Sequence, residues 1–555
     1  MKMKNQILFI IIALLGISFS SCDDYLSFPK EGVVKIADSF NSALAATQSA
    51  TACYAPLAWE YQNAGGTFFN EWFIGDICSD DALKGSNSLS DMGLVFDMEN
   101  FQTKSDNNVL LWYYRCQYMG IFRCNLVYEY VPAMKPALFA KEKAGLQNRV
   151  LAEASFLRAM YYFRLVRVFG GVPVVNQLIK SQADWKQPRG TESDVYAQIY
   201  SDLKFAINYL PEKSGYVAAD LGRATKGAAR ALLMKAYLNN HDYNNAKLQG
   251  DSLINASQYT LVSNYNNIFT VAGENNSESV FEIQFISEGT SDGWNGIGFS
   301  RGTLTPTMTR PRWGSEEGWG FNRPTQELYD EFEAGDPRRD AAIYAPTLEQ
   351  VVASDDNTNN INVYLGDRYT ARKYSMMNPD TTWIKLGHST RGEINHKEIR
   401  YSDVLLMYAE ACLKQTTPDV NRAKWALEEV RNRARLTAGR TDILPAFPNY
   451  TIPLQGVGLS GTKQLQDNAE DLYMAVQHER RVELAMEGHR WFDLKRWGIL
   501  GDVMNHYKET TKPQISTYIN PFVKGKDELF PIPLQERDLN SPMSQNPGYD
   551  GVPVQ

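Results

Sequence analysis

The sequence predicts a mainly α fold: tetratricopeptide-like helix pairs form a scaffold, with a long loop-rich face and little β structure. Three observations predict it. Several stretches repeat apolar residues every three or four positions, the spacing of one helix face. Two stretches, about 175 residues apart, each read as two helices joined by a short turn. Residues 286 to 324, "ISEGTSDGWNGIGFSRGTLTPTMTRPRWGSEEGWGFNRP", are rich in Gly, Thr and Trp and hold no helical period.

Taken in order, the chain begins "MKMKNQILFIIIALLGISFSSCDDYL". Two lysines, an apolar run from Ile7 to Ile17 and small residues before Cys22 have the layout of a secretory signal, residues 1 to 21. The apolar run is too short for a comfortable membrane span. The small residues before Cys22 resemble the lipobox of bacterial lipoproteins, in which the cysteine becomes the lipidated first residue. The match departs at Phe19, where that pattern prefers Leu. Acyl chains on Cys22 would anchor the protein stably, each buried CH₂ adding about 0.8 kcal/mol. "CDDYL" further resembles the acidic signal that sends Bacteroidetes lipoproteins to the cell surface.

The first long helix is "LAEASFLRAMYYFRLVRVFGGVPVV", with Leu151, Ala154, Leu157, Tyr161, Leu165 and Val168 on one stripe and Gly170, Gly171 and Pro173 ending it. "RATKGAARALLMKAYLNNHDYNNAKLQGDSLINA" is a helix hairpin turning near Asn239 to Asp242. Leu233, Tyr237 and Ala246 fall where a tetratricopeptide unit packs, with Met234 in place of its small residue. "EIRYSDVLLMYAEACLKQ" followed by "VNRAKWALEEVRNRAR" is the second such pair. The units are dispersed, so long insertions separate them. One insertion, "ASDDNTNNINV", holds Asp355, Asn357 and Asn359 at calcium-loop spacing. Asn360 replaces the required glycine and Gly366 the closing glutamate, which argues against calcium.

"HERRVELAMEGHRWFDLKRWG", His478 to Gly498, reads as one helix with two histidines. A zinc-protease helix has its histidines four apart. Here Val482 occupies that position, and His489 lies eleven residues on, about 16 Å along a helix. One metal cannot bridge that distance, so no metal is expected. Leu472, Ala475, Glu479, Val482, Met486 and His489 share one face, so buried Glu479 and His489 need partners from other elements. Glu487 with Arg490 and Asp493 with Arg496 are spaced as surface pairs.

The bulk numbers exclude other classes. The formal charge of −8 falls to −10 once Lys2 and Lys4 leave with residues 1 to 21. An acidic chain without a basic block argues against nucleic acid. The six cysteines show no zinc spacing, and Cys116 and Cys124 lie about 12 Å apart if helical, too far to bridge. No phosphate loop or nucleophile elbow is present, so no cofactor is expected.

Six segments in order resemble the SusD/RagB family of Bacteroidetes outer-membrane lipoproteins: "AEASFLRAMYYFRLVRVFGGVP", "RATKGAARALLMKAYL", "NRPTQELYDEFEAGDPRRDA", "EIRYSDVLLMYAEA", the His478 to Gly498 stretch, and "ELFPIPLQERDLN" with "QNPGY". The resemblance spans nearly the whole chain. It implies an N-terminal region at 22–270 and a C-terminal region at 271–555, packed as one globular unit with four helix pairs. It also implies a cell-surface protein without catalytic activity that binds oligosaccharide and lids a SusC-like TonB-dependent transporter. Part of the family serves peptide import through a RagA-like partner, and that reading stays open. A glycoside hydrolase would need two carboxylates set across a cleft, which sequence cannot place.

Sugar recognition needs aromatic faces against the C–H side of the ring and planar polar groups for the hydroxyls. Two loop-like clusters offer both. "TFFNEWFIGDICSDDALKG" supplies Trp72 with Asn70, Asp80 and Asp81; the glycine-rich segment supplies Trp294, Trp313 and Trp319 with Asn295 and Arg312. Asp80 and Asp81 read as a solvated turn ahead of a ligand role.

Overall fold

The computed structural model describes residues 35–62, 66–286, 301–312, 318–347, 368–378, 382–386, 390–541 and 543–550. Cys22 with the leader, and the Asp355 to Asn359 stretch, lie outside them. The protein is mainly α. Its helices include α1 (Ala43–Tyr54), α2 (Asn108–Tyr130), α3 (Leu146–Phe169), α4 (Glu192–Tyr209), α5 (Lys226–Asn239) and α6 (Tyr243–Asn255), then α7 (Tyr401–Lys414), α8 (Val420–Ala438), α9 (Ala469–Glu483) and α10 (Arg490–Arg496). Most start where the sequence places a cap. Asn107 accepts from the amides of Val109 and Leu110, Thr191 and Asp194 form a capping box, and Asp242 and Asp419 cap α6 and α8.

Successive helices pack side by side, α2 on α3, α3 on α4, α4 on α5 and α5 on α6. The second pair, α7 and α8, joins through α6, and α9 lies against both its helices. The hairpin turn falls between Asn239 and Asp242, as the sequence predicts. Helix α3 departs from a one-sided stripe: it is enclosed nearly all round, while Leu151 of the expected stripe is half-buried. Its buried arginines are matched, Arg158 to Asp202 at 2.7 Å and Arg164 to Glu71 at 2.8 Å. One hydrophobic cluster runs from Ala46 to Met543 and draws on residues from both sides of position 270.

Strands are short, in two-stranded antiparallel sheets among the described residues. β1 (Tyr61–Gln62) pairs β2 (Thr67–Phe68); β3 (Ala82–Gly85) pairs β5 (Phe321–Pro324); β4 (Ser279–Ile283) pairs β8 (His396–Arg400); β6 (Ile343–Tyr344) pairs β7 (Thr370–Ala371). The β3–β5 pair corrects the loop expectation for both clusters. A π-helical turn at Phe73–Ile77 and a helical turn at Thr305–Thr309 sit in the same two segments.

The His478 to Gly498 stretch is two helices, not one. α9 ends at Glu483, Met486 and Gly488 take positive φ (61° and 78°), and α10 starts at Arg490. Met486 and His489 therefore do not continue the face of α9. The break lets Glu487 turn inward to Arg400 and Lys373 at 2.8 and 2.7 Å. The expected surface pairs are also corrected. Arg490 pairs with Asp80 rather than Glu487, and the Asp493–Arg496 pair forms, at 2.9 Å, but buried and shared with Arg480.

Glu479 is fully buried between Arg338 and Arg431, and Glu483 between Arg338, Arg400 and Arg433. The two histidines serve separate sites. Burial alone would lower His478, but a hydrogen bond to Glu331 (2.6 Å) and the nearby carboxylate of Glu333 (3.7 Å) hold its pKa up to about 9. Burial and the neighbouring Lys235 push His489 down to about 3. The stretch is scaffold, locked by charges drawn from distant elements.

Candidate functional site

Beside the β3–β5 pair the chain brings three aromatic rings together. Tyr61 and Phe68 face each other across the β1–β2 hairpin, their centroids 4.9 Å apart and tilted by 44°. The ring of Trp319 meets Phe68 edge-on at 5.5 Å and 69°. All three are half-buried. The result is an aromatic ledge with rings in different orientations.

Backbone bonds fix the ledge. The Trp319 amide donates to Thr307 O at 2.8 Å, and Arg312 Nε donates to Trp319 O at 2.8 Å. Arg312 also pairs with Asp91 Oδ2 at 2.8 Å, and Asp91 accepts from Ser86 Oγ. Gly320 follows Trp319 with φ +69°, a conformation glycine adopts without strain, and its carbonyl accepts from the Ser86 amide at 2.6 Å.

The loop that carries Asp91 is held from beneath. Lys84 is fully buried and its Nζ donates to Gly85 O, Ser88 O and Asp91 O at 3.1, 3.0 and 2.6 Å. Burial pushes its pKa down to about 8. Behind the hairpin, Glu60 accepts from Asn70 Nδ2 (3.0 Å), Thr303 Oγ1 (2.9 Å) and the Leu304 amide (2.6 Å). Burial raises its carboxyl above the usual range. At the foot of the hairpin lies a cavity of 430 Å³ walled by Tyr54, Leu57, Trp59, Ile286 and Arg301. Arg123 stacks on Trp59 at 4.9 Å.

The structure sorts the candidates. Trp319 and Arg312 come together on the ledge, and Asn70 supports it through Glu60. Trp72 lies inside, 4% exposed and edge-on to Phe73 at 4.4 Å, so it presents no face to a ligand. Asp80 and Asp81 are neither a solvated turn nor open to ligand: both are buried and spent on Arg481 and Arg490 at 2.7–2.8 Å. Trp294, Asn295 and Trp313 lie outside the described residues. Tyr61, Phe68 and Asp91 were missed. "YQNAGGTFF" carried a signal, because Gly-Gly between an aromatic residue and an aromatic pair marks a hairpin.

This geometry can hold a flat ligand with one apolar face. Tilted rings accept the C–H sides of successive pyranose units, while guanidinium and carboxylate at the rim exchange hydrogen bonds with hydroxyls. Among the described residues no cluster of three His, Cys, Asp or Glu could hold a metal, and no helix is long and apolar enough to cross a membrane.

Two family models match the chain in tandem: the SusD family over residues 277–549, and "Starch-binding associating with outer membrane" over residues 45–238. The chain belongs to the SusD/RagB family. It is similar to SusD-like protein P2 of Formosa agariphila, 26% identical with 82% of this chain and 83% of that one covered. The starch-binding protein SusD of Bacteroides thetaiotaomicron is 25% identical, with 72% and 73% covered. Among solved structures, a laminarin-binding SusD-like protein has a TM-score of 0.70 and 27% identity, covering 92% of this chain and all of its own. Surface glycan-binding protein A of Bacteroides thetaiotaomicron, in complex with laminarihexaose, has a TM-score of 0.71 at 23% identity, with 90% and 98% covered, and supports the shared fold.

The SusD/RagB assignment carries glycan binding and association with the outer membrane with it. Relatives of the chain in this family are named for carbohydrate binding.

Proposed function

We propose that this SusD/RagB protein captures oligosaccharide on the Tyr61–Phe68–Trp319 ledge and delivers it, without chemical change, to a SusC-like TonB-dependent transporter. The observation that carries the reading is the ledge itself, three tilted rings rimmed by the Arg312–Asp91 pair. Relatives named for laminarin and starch binding support a neutral glucan as the first ligand to try. The protein is taken to sit on the outer face of the outer membrane, held by acyl chains on Cys22.

Replacing Trp319 by alanine is expected to weaken binding of laminarin or starch oligosaccharides by ~1–3 kcal/mol, a stacking contact plus its buried area. Calorimetric titration of the parent and variant, after an array of glycans and peptides has ranked ligands, checks it. Parent-like affinity in Trp319→Ala and in Phe68→Ala would place the site elsewhere. A response confined to peptides would move the protein to the peptide-import branch.

Cys22→Ala is expected to release the protein from membranes, and carbonate-washed membranes that retain the variant would contradict a lipid anchor. A binder without an energy-using motif needs a channel to move its ligand. Mild detergent should therefore co-extract a large barrel with the protein; purification as a free lipoprotein under several detergents, with ligand present, counts against the partner.

A further inference from the structure

A second cavity lies away from the ledge, and its walls carry a different chemistry. It has a volume of 640 Å³, within the roughly 300–1,000 Å³ typical of small-molecule sites. Phe269, Tyr329 and Tyr344 give it aromatic walls, and Arg339 and Arg372 line it with guanidinium groups. None of these residues belongs to the ledge.

Arg339 is held in place before any ligand arrives. Its guanidinium lies 4.8 Å over the Tyr329 ring, and Tyr329 is itself stacked on Tyr369 at 4.7 Å with 9° between planes. Its carboxylate partner is the adjacent Asp340, at 3.2 Å with a side chain 73% exposed. A solvated pair of that kind contributes little and yields readily to a better anion. Arg372 is braced by donating to the backbone carbonyls of Asp340 and Asn378 at 2.8 and 3.0 Å. Lys373, beneath, is matched by Glu487 at 2.7 Å and adds no net charge. Among the described residues the lining therefore holds two guanidinium groups and one exposed carboxylate, in a chain whose net charge is −8.

We propose that this cavity is a second ligand site, specific for a pyranose bearing a carboxylate or a sulfate ester. The planar fork of arginine takes two oxygens of such a group at once, and the aromatic walls take the C–H faces of the ring. The choice of a sugar as carrier rests on the glycan reading above; the requirement for an anion does not.

The test titrates the purified protein with oligogalacturonate and its methyl ester, with a sulfated fucan oligosaccharide and its desulfated form, and with inorganic sulfate. At least one charged sugar is expected to bind tenfold or more tightly than its uncharged counterpart and than sulfate alone, and more weakly as salt rises. Arg339→Gln and Arg372→Gln should each reduce that binding at least tenfold with an unchanged melting temperature. Arg339 is half-exposed, so its variant keeps the proposal testable if Arg372→Gln fails to fold. Trp319→Ala should leave charged-sugar binding intact, which separates this site from the ledge. No preference for charge in either pair, parent-like affinity in Arg339→Gln, or sulfate binding as well as the sugars would overturn the proposal.

Discussion

Replacing Glu483 by alanine is expected to destabilise the protein by about 3–5 kcal/mol, the scale for breaking a buried charge cluster from one side. The carboxylate is fully buried and meets Arg400 at 2.9 Å, Arg338 at 3.2 Å and Arg433. Those three guanidinium groups are themselves at most 2% exposed, so alanine leaves them facing one another without water. Glu278, Glu479 and Glu487 hold their other edges and cannot reach the vacated centre without giving up existing bonds. Burial by itself would raise the Glu483 pKa, yet Arg433, Arg400 and Arg338 hold it well below the ordinary 4.5. A depressed folded pKa stabilises above the unfolded value, so this contribution is complete at neutral pH and is lost progressively as the pH falls below about 4.5. Denaturant unfolding of parent and Glu483→Ala at neutral pH measures the loss; a difference under about 1 kcal/mol would show the cluster to be dispensable. Ligand binding by the folded variant should match the parent, because no ion-pair partner of Glu483 belongs to the ledge.

The second large effect is expected from one methyl group. Gly75, in the π-helical turn, packs against the backbone of Gly488 so closely that a Cβ would stand 2.6 Å from Gly488 Cα and nearer still to its carbonyl. Gly488 cannot move aside freely. Its φ is +78°, its amide donates to Asp76 Oδ1 at 2.8 Å, and Asp76 also accepts from Asn322 Nδ2 at 3.0 Å. Overpacking against side chains costs about 1–3 kcal/mol because rotamers adjust, and backbone against backbone has no such relief. Gly75→Ala is expected to lose ~3 kcal/mol or more and to accumulate poorly in the folded form. Gly93→Ala, whose Cβ meets nothing within 4 Å, is the control and should stay within about 0.5 kcal/mol of the parent. Equal melting temperatures for the two variants would mean that the Gly75–Gly488 approach is not maintained in solution.

What the sequence by itself determined is local. Apolar spacing of three and four specifies the helix pairs, and Asn239 to Asp242 specifies their turn, because helix period and capping act within a few residues. Only the tertiary structure decided which charges meet. Asp80 and Arg490 are 410 positions apart, and nothing in their neighbours distinguishes a solvated acid from one clamped by two arginines. It also decided how deeply each tryptophan is buried. Trp72 and Trp319 both sit in aromatic, glycine-containing segments, yet one fills the core and the other stands on the ledge. An indole has an apolar body and a polar edge that suit either place, and the packing of β3 on β5 makes the choice. Met486 and Gly488 break a helix that periodicity alone would continue, because an inward Glu487 meets Arg400 and Lys373, residues that lie outside its own stretch of chain.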